Sequence, residues 1–309
     1  MEADALAPEA TKIGTKAIRA PAKINLSLHV VGLREDGYHR IDGLVAFADH
    51  GDELTIEPSH ADRLTIVGAF SAGLSADDDN LVLRALRLAR RIAEQAGDTI
   101  PPLAIHLEKR LPVASGVGGG SADAAALLSI LLADHPHLRD AVAREAVTLG
   151  ADVPMCLDGF AARVSGIGEM VEPVAAFGRM PVVLVNPGVP VETRAVFAGL
   201  MDRNNALPAA LPGDGFRDAE ALVGYLRSCR NDLTQPALSI APAIGEALAA
   251  LTTSGAALSR MSGSGATVFG LFQTMEEADE AAGALARTFP QWWVVATTCG
   301  NARPGDERS

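Results

Sequence analysis

The most constraining feature of this 309-residue chain is a glycine-rich segment, residues 111–132, which reads LPVASGVGGGSADAAALLSILL. Glycines at 116, 118, 119 and 120 precede Ser121 and an apolar run of helical character. Glycine adopts positive φ without strain and lets backbone N–H groups approach a ligand closely. The first turn of a helix adds unpaired N–H donors and a partial positive charge. The pattern predicts a phosphate-binding loop with Ser121 as the helix N-cap or, as the alternative, only a flexible connection with a tight helix start.

Two better-known phosphate motifs are excluded by the residues present. A P-loop requires Gly-Lys-Ser/Thr after its glycines, and that tripeptide does not occur in the chain. A dinucleotide fingerprint starting at Gly116 requires a glycine at its sixth position, where this chain has Ser121. Any phosphate site in this segment therefore belongs to a different class.

Length and composition narrow the class of protein. With 48% hydrophobic and 21% charged residues, the chain is typical of a soluble globular protein, and its length predicts two lobes. The formal net charge of −12 argues against a nucleic-acid binder, which normally carries a basic surface. No apolar run approaches the length of a membrane span and the N-terminus is acidic, so we expect a cytoplasmic protein that does not bind membranes.

The cysteines and histidines do not indicate a metal centre. Cys156, Cys229 and Cys299 fit no zinc spacing, and their odd number fits no complete disulfide framework, so buried or incidental thiols are predicted. The seven histidines show no His-x-x-x-His spacing, which disfavours a metal-dependent hydrolase.

The N-terminal region contains two polar features with open interpretations. Residues 16–31 alternate like a half-buried strand, with Lys23 and Asn25 on its polar face, where side chains ordinarily contact water. A REDGYH turn follows and ends with Tyr38 and His39. An aromatic side chain beside a histidine either stacks on a planar ligand or anchors the loop.

The rest of the pattern mixes strands and helices without regular alternation, which favours an α+β fold over a doubly wound sheet. Helices are predicted to follow Asn80 and to cover residues 138–149. Asp152 lies in the turn GADVP, where it is either functional or a turn former. Near the C-terminus, MSGSGATVF places a second small-residue loop, residues 262–265, between two strands.

Four segments in this order resemble the GHMP kinases, a family of small-molecule kinases unrelated to P-loop and protein kinases. The segments are PAKINLSLHV, LPVASGVGGGSADAA, GADVP and MSGSGATVF. The REDGYH turn, the GGGSADAA form of the loop and the GIGE turn after GADVP are most similar to members that act on a cytidine diphosphate-linked methylerythritol. The resemblance extends over roughly residues 18–272, which is nearly the whole chain.

The resemblance implies a two-lobed α+β fold with the active site in the cleft between the lobes. It predicts a flexible tail at residues 1–13, a nucleotide-binding domain at 14–175 and a C-terminal GHMP-type domain at 176–309. It also implies transfer of the γ-phosphoryl group of ATP, with Mg²⁺, to the 2-hydroxyl of the alcohol.

The resemblance also assigns roles at the reacting end of the substrate. Asp152 would accept or orient the hydroxyl proton, and Lys23 would stabilise the charge of Asp152 and of the developing alkoxide. Asn25 would help to fix the substrate near this pair. Around the cytosine the resemblance places Tyr38, His39 and, from its position after NPGV, Phe197.

At the nucleotide, the resemblance implies contacts along the whole glycine-rich loop. The residues expected there are Pro112, Val113, Ala114, Ser115, Gly116, Val117, Gly118, Gly119, Gly120, Ser121 and Ala122, with Asn80 and Lys109 around the adenosine. Many relatives have two serines after the glycines. This chain has Ser121 followed by Ala122, so a second hydroxyl is lacking at that point.

Two alternatives stay open. Another GHMP kinase, acting on homoserine, mevalonate or galactose, would share the loop but not the pairing of REDGYH with GADVP. A catalytically idle nucleotide-binding protein would share the fold, although the presence of both Lys23 and Asp152 speaks against it.

Overall fold

The computed structural model describes residues 14–301, so the tail expected at residues 1–13 lies outside the described chain. Its strands are β1 (Lys16–Leu33), β2 (His39–Pro58), β3 (Arg63–Val67), β4 (Leu103–Glu108), β5 (Ala162–Gly166), β6 (Met170–Pro173), β7 (Met180–Asn186), β8 (Leu258–Met261), β9 (Val268–Leu271) and β10 (Trp293–Gly300). Its α-helices are α1 (Leu81–Gln95), α2 (Gly119–Asp134), α3 (Arg139–Glu145), α4 (Val153–Asp158), α5 (Thr193–Ala198), α6 (Ala219–Leu226), α7 (Thr234–Ile240), α8 (Ala243–Thr253) and α9 (Met275–Thr288).

The strands of the described chain form one sheet with the order β3-β4-β2-β10-β7-β9-β8, while β1 and β5 pair with β2, and β6 pairs with β5. Most pairs are antiparallel, and β3 with β4 is parallel. Helices and strands do not alternate regularly, so the predicted α+β class is confirmed.

The long antiparallel pair of β1 and β2 organises the N-terminal half, with Leu33 opposite His39 at one end. Strand β2 runs without a break for 20 residues. It stays continuous because Gly51 lies opposite Pro21, and a side chain at Gly51 would overlap the Ala20 carbonyl. Glycine there allows the close approach.

Three hydrophobic clusters hold these layers together. The first lies between the sheet and helices α1 and α2, and contains Phe47, Leu86 and Leu127. The second joins residues of both halves, including Phe216 and Phe269. The third packs the C-terminal helices against β7 and β9 and also includes residues of β1. The division near residue 175 stays a prediction, and one sheet and two of the three clusters span it.

The sequence pattern did not reveal helices α4 and α7, and one predicted helix is broken. The segment predicted as helix 138–149 consists of α3 flanked by 3₁₀ turns at Pro136–Leu138 and Ala146–Thr148. Helices α4, α6 and α7 are only 6 to 8 residues long, and such lengths carry a weak periodic signal.

Among residues 14–301, no single helix combines the length and hydropathy needed to cross a membrane; α7 and α8 pass by length and composition only as a pair, and they are bent by 119°.

We predict that Leu127→Ala lowers the free energy of unfolding by roughly 2–5 kcal/mol, because the side chain is fully buried between α2 and the sheet. Urea unfolding followed by circular dichroism measures the change. The control Leu207→Ala removes a side chain that is 64% exposed and should change stability by less than about 0.5 kcal/mol. Equal losses in the two variants would contradict this description of the core.

Candidate active site

The glycine loop, residues 112–118, ends where α2 begins. The N-cap is Gly118, in the left-handed region with φ 66°, and no side chain caps the helix. The prediction of Ser121 as N-cap is therefore wrong, because the helix starts at Gly119, two residues earlier than Ser121. Glycine adopts this backbone angle without strain. Because glycine has no side chain, it offers no side-chain acceptor to the N–H groups of the first turn of α2.

The loop is held by its carbonyl groups. The Ser115 oxygen accepts a hydrogen bond from the Thr267 N–H at 3.1 Å, and the Gly116 oxygen accepts one from the Ser262 hydroxyl at 2.9 Å. The Val117 oxygen accepts a third from the Lys23 N–H at 2.9 Å. Within residues 14–301, no group accepts a hydrogen bond from the N–H groups at positions 119 to 121. A side chain at Gly120 would meet nothing within 4 Å, so the helix turn is open on the side of Gly120. These donors and the partial positive charge of the helix suit an anion.

The serine–glycine loop, residues 262–265, packs directly on the glycine loop. A side chain at Gly116, whose φ is +78°, would overlap the carbonyl of Ser262. The Ser262 hydroxyl also accepts a hydrogen bond from the Asn25 N–H at 3.0 Å, so one serine links β1 to the glycine loop. The small residues read from the sequence therefore permit contact between two backbones.

Lys23 and Asp152 form an ion pair beside the glycine loop. The Lys23 Nζ lies 2.8 Å from the Asp152 Oδ2, and the side chains are 8% and 35% exposed. Asp152 is the residue before α4, so its carboxylate lies at the start of a helix. A Cβ on Gly118 would lie 3.4 Å from the Lys23 side chain and 3.7 Å from the Asp152 Oδ2. The structure thus brings together the two predicted catalytic side chains and the loop.

Lys23 and Asn25 are buried, so the alternative in which they face water is wrong. Asn25 is on the same side of β1 as Lys23, and in the described chain its buried Oδ1 has no hydrogen-bond partner. A buried amide oxygen without a partner is costly unless a ligand or water satisfies it. Its predicted role in fixing a substrate is consistent with this arrangement and stays a prediction.

The predicted cytosine-side residues form a second, separate group. The rings of His39 and Phe197 are 5.0 Å apart at an angle of 34°, and Tyr38 is 61% exposed. Burial, with a smaller effect from Arg203, lowers the pKa of His39 below the ordinary 6.5. In the described chain the buried His39 Nε2 has no partner. The pair therefore offers a neutral, partly covered aromatic surface with a free polar atom.

The aromatic group is connected to the glycine loop through α5. The Thr193 hydroxyl at the start of α5 lies 2.8 Å from the Ser264 hydroxyl in the serine–glycine loop. Along the β1–β2 pair, however, Lys23 and the Leu33–His39 contact are ten residues apart. At about 3.3 Å per residue this length of strand spans at most roughly 33 Å, so the two groups occupy different positions along the β1–β2 pair.

The polar side-chain atoms of Asn80 and Lys109 already form hydrogen bonds within the protein. Asn80 caps α1, accepting from the Val82 N–H at 2.9 Å and donating to the Ser75 carbonyl at 2.8 Å. The Lys109 ammonium lies between two buried carboxylates, Asp52 and Asp123. Contact of either residue with adenosine would compete with these bonds, and both contacts stay predictions.

Sequence reasoning missed three contributors to the site. Asp52 holds the segment just before the glycine loop, Ser262 holds the loop itself, and Thr193 links α5 to it. Asp52 and Thr193 lie outside the recognised motifs, and no local spacing marks them. Ser262 lies within a recognised motif, although nothing in that motif identifies the partner of its hydroxyl.

We predict that Gly116→Ala destabilises the protein more than Gly73→Ala. Both glycines have φ of +78°, so both variants incur the left-handed strain of roughly 1–2 kcal/mol. Only Gly116 faces another backbone, since nothing lies within 4 Å of a Cβ at Gly73. Overpacking should add roughly 1–3 kcal/mol, measured by urea unfolding. Identical stabilities would show that the two loops do not pack as described.

Comparison with known proteins agrees with this geometry. Residues 80–160 match the model of the GHMP kinases N terminal domain, and residues 217–291 match that of the GHMP kinases C terminal domain. A protein of Paracoccus denitrificans (strain Pd 1222) named 4-diphosphocytidyl-2-C-methyl-D-erythritol kinase is 50% identical, over 92% of this chain and 97% of that protein.

Solved structures of two kinases are also similar to this chain. A crystal structure of 4-(cytidine 5'-diphospho)-2C-methyl-D-erythritol kinase has a TM-score of 0.75 and 34% identity, covering 93% of this chain and all of that one. The homoserine kinase from Cytophaga hutchinsonii has a TM-score of 0.67 and 21% identity, covering 96% and 98%, and shows the fold alone. With both domain models matched and a relative at half identity over nearly its whole length, this chain belongs to the GHMP kinase family.

Proposed function

We propose that this chain transfers the γ-phosphoryl group of ATP to the 2-hydroxyl of 4-diphosphocytidyl-2-C-methyl-D-erythritol. The observation that carries the proposal is the Lys23–Asp152 pair, 2.8 Å apart and in contact with the glycine loop. The names of the relatives at 46–50% identity support this choice of alcohol. The reaction belongs to non-mevalonate isoprenoid precursor biosynthesis, and a cytoplasmic location stays an expectation.

Asp152 is the group we assign to the hydroxyl proton. Its carboxylate is partly exposed, whereas the Lys23 side chain beside it is almost fully buried. The proton of the 2-hydroxyl passes to Asp152 as the oxygen forms its bond to the γ-phosphorus, and the bond to the β-phosphate oxygen breaks to release ADP. The Lys23 ammonium stabilises negative charge on both the carboxylate and the attacking oxygen.

The start of α2 fits the phosphates of ATP. Unpaired N–H groups at positions 119 to 121 and the open space at Gly120 suit a triphosphate, and no side-chain cap obstructs them. Mg²⁺ bound with the nucleotide would supply positive charge that offsets the negative charge of the phosphates. Within residues 14–301 no group of three His, Cys, Asp or Glu side chains could hold a metal ion. This fits Mg²⁺ bound largely through the nucleotide and water.

The aromatic group fits the cytidine end of the substrate. His39 and Phe197 present a surface on which a pyrimidine can stack, and the free His39 Nε2 can hydrogen bond to it. Tyr38, on the exposed side, is assigned to the same ring. A separate aromatic pair favours an alcohol linked to a pyrimidine nucleotide over homoserine or mevalonate, which have no ring to stack there.

We predict that Asp152→Asn lowers kcat by roughly 10²–10⁴-fold, because asparagine cannot accept the hydroxyl proton. The matched control Asp158→Asn makes the same change at the exposed far end of α4 and should retain wild-type kcat. A coupled ADP-release assay with Mg²⁺ and ATP measures both variants. Full activity in Asp152→Asn would refute the assignment of the base.

We predict that Lys23→Met lowers kcat of the folded enzyme as well as its stability. If the ion pair were only structural, a folded Lys23→Met variant would keep wild-type kcat and lose only thermal stability. Thermal unfolding and ADP release on the same preparation separate the two roles.

We predict that His39→Ala raises KM for the cytidylyl substrate and leaves KM for ATP nearly unchanged. Because burial, with a smaller effect from Arg203, lowers the pKa of His39, its ring is neutral at neutral pH, and the wild-type KM should rise only as the pH becomes acidic. His106→Ala, on the exposed face of β4, is the control. Equal rises in both KM values would remove His39 from the pyrimidine site.

The choice of alcohol is tested by comparing the cytidylyl substrate with homoserine, mevalonate and galactose in the same assay. Turnover with the cytidylyl substrate alone is expected. Turnover with another alcohol would support kinase activity but refute the proposed substrate. Absence of turnover with all four alcohols would support a catalytically idle nucleotide-binding protein.

A further inference from the structure

A buried ionic cluster lies beneath the start of α2. It consists of Lys109, Asp52 and Asp123, which are 4%, 0% and 3% exposed. The Lys109 Nζ donates to the Asp123 Oδ2 at 2.7 Å and to the Asp52 Oδ2. The three residues come from α2, from β2 and from the segment just after β4, so the cluster joins three elements through one ammonium group.

The cluster contacts the glycine loop at both ends. The Asp52 Oδ1 accepts from the N–H groups of Arg110 at 2.6 Å and Leu111 at 2.8 Å, directly before the loop. At the other end, a Cβ on Gly119 would lie 3.5 Å from both the Asp52 Oδ2 and the Lys109 Nζ. Asp123 follows on the second turn of α2. The loop is thus fixed at its start and at its end by the same charged cluster.

We propose that the Lys109 bridge positions the glycine loop for ATP, by fixing the first turn of α2 relative to the end of β4. Asp52, Lys109 and Asp123 then act as positioning residues for the N–H groups at positions 119 to 121. This inference rests on the ATP-binding function proposed above. It differs from the expected adenosine contact of Lys109, because the ammonium acts through the two carboxylates.

Positioning of the loop and simple electrostatic repulsion predict opposite changes in ATP affinity when the negative charge of the cluster is removed. Two carboxylates and one ammonium leave a negative charge beneath a site for triphosphate, and that charge by itself repels the ligand. Removing it would strengthen ATP binding if repulsion dominated. If the bridge positions the loop, the same change weakens ATP binding, so the sign of the effect decides between the two.

The bridge should depend on pH. Burial, with the nearby Asp52 carboxylate and against the attraction of Lys109, raises the pKa of Asp123 to about 7. The two carboxylates, acting against burial, raise the pKa of Lys109, which stays charged. Of the other groups nearby, burial raises the pKa of the Cys156 thiol and lowers the pKa of His50 below 6.5, so both are neutral at pH 7 to 8. Asp123 is therefore the group whose charge changes near neutrality.

The experiment measures the Kd of ATP with Mg²⁺ by isothermal titration calorimetry on the full chain and on Asp123→Asn, at pH 8.5 and pH 6.0. We expect the variant to bind roughly tenfold more weakly at pH 8.5, the scale of one charge-assisted hydrogen bond. At pH 6.0 the two should agree within about twofold, since asparagine resembles the protonated acid. The ratio of the two Kd values cancels the titration of ATP itself.

The matched control is Asp62→Asn, at the opposite end of β4. Asp62 also holds a cation and a backbone N–H, binding Arg90 at 2.6 Å and the Leu103 N–H at 3.0 Å, but it is remote from the glycine loop. Its Kd ratio should be close to one at both pH values. Four outcomes would overturn the proposal. Asp123→Asn could bind ATP more tightly than the wild type, or the ratio of the two Kd values could be one at pH 8.5. The ratio could also be the same at both pH values, or Asp62→Asn could weaken binding as much as Asp123→Asn.

A second measurement needs no variant and applies if Asp123→Asn does not fold. Hydrogen exchange of the wild-type amides of Arg110 and Leu111, which donate to the Asp52 Oδ1, and of Ala122, which donates to the Gly118 oxygen, should show more protection at pH 8.5 than at 6.0 once corrected for the intrinsic effect of pH. Equal protection would overturn the proposal. Failure of the wild-type protein to phosphorylate any alcohol would count against the proposed reaction only, because ATP affinity and exchange are both measured without turnover.

Discussion

The arrangement of the site depends on a single constraint: the glycine loop is held by its carbonyl oxygens, while the N–H groups at positions 119 to 121 have no acceptor within residues 14–301. Ser115, Gly116 and Val117 each use the oxygen to bond the surrounding protein. A peptide unit held by its oxygen cannot turn its N–H toward the same partner, since the two groups point in opposite directions. The loop is therefore ordered before any ligand arrives, which lowers the entropic cost of binding one.

The surroundings of the loop come from both halves of the chain. Lys23 lies on β1, whereas Ser262 and Thr267 lie near the C-terminus, and all three hold the same loop. Asn25 joins this contact through the Ser262 hydroxyl, 237 residues away in sequence. Neither half alone would reproduce the loop, which explains why the family is recognised by widely spaced motifs that meet only in the folded protein.

Features that a short stretch of sequence determines were predicted correctly. The glycines of the loop, the strand with Lys23 and the turn with Asp152 were all identified, and the α+β class followed from the mixture of elements. The N-cap was placed incorrectly at Ser121, since local residue preference cannot reveal that Gly118 adopts a left-handed angle. The partners of Lys109 were not foreseen, because Asp52 lies 57 residues earlier and no spacing rule connects the two. Contacts of this kind depend on the packed topology.

The position of β10 has a consequence for how the protein forms. This strand, Trp293–Gly300, lies between β2 and β7, so it pairs with segments that precede it by more than one hundred residues. During synthesis every other strand of the described sheet emerges earlier, and the facing edges of β2 and β7 stay open until residue 300 is available. Such late, non-local closure favours slow folding and leaves strand edges that chaperones can shield. The completed sheet then joins the early and late parts of the chain in one cooperative unit.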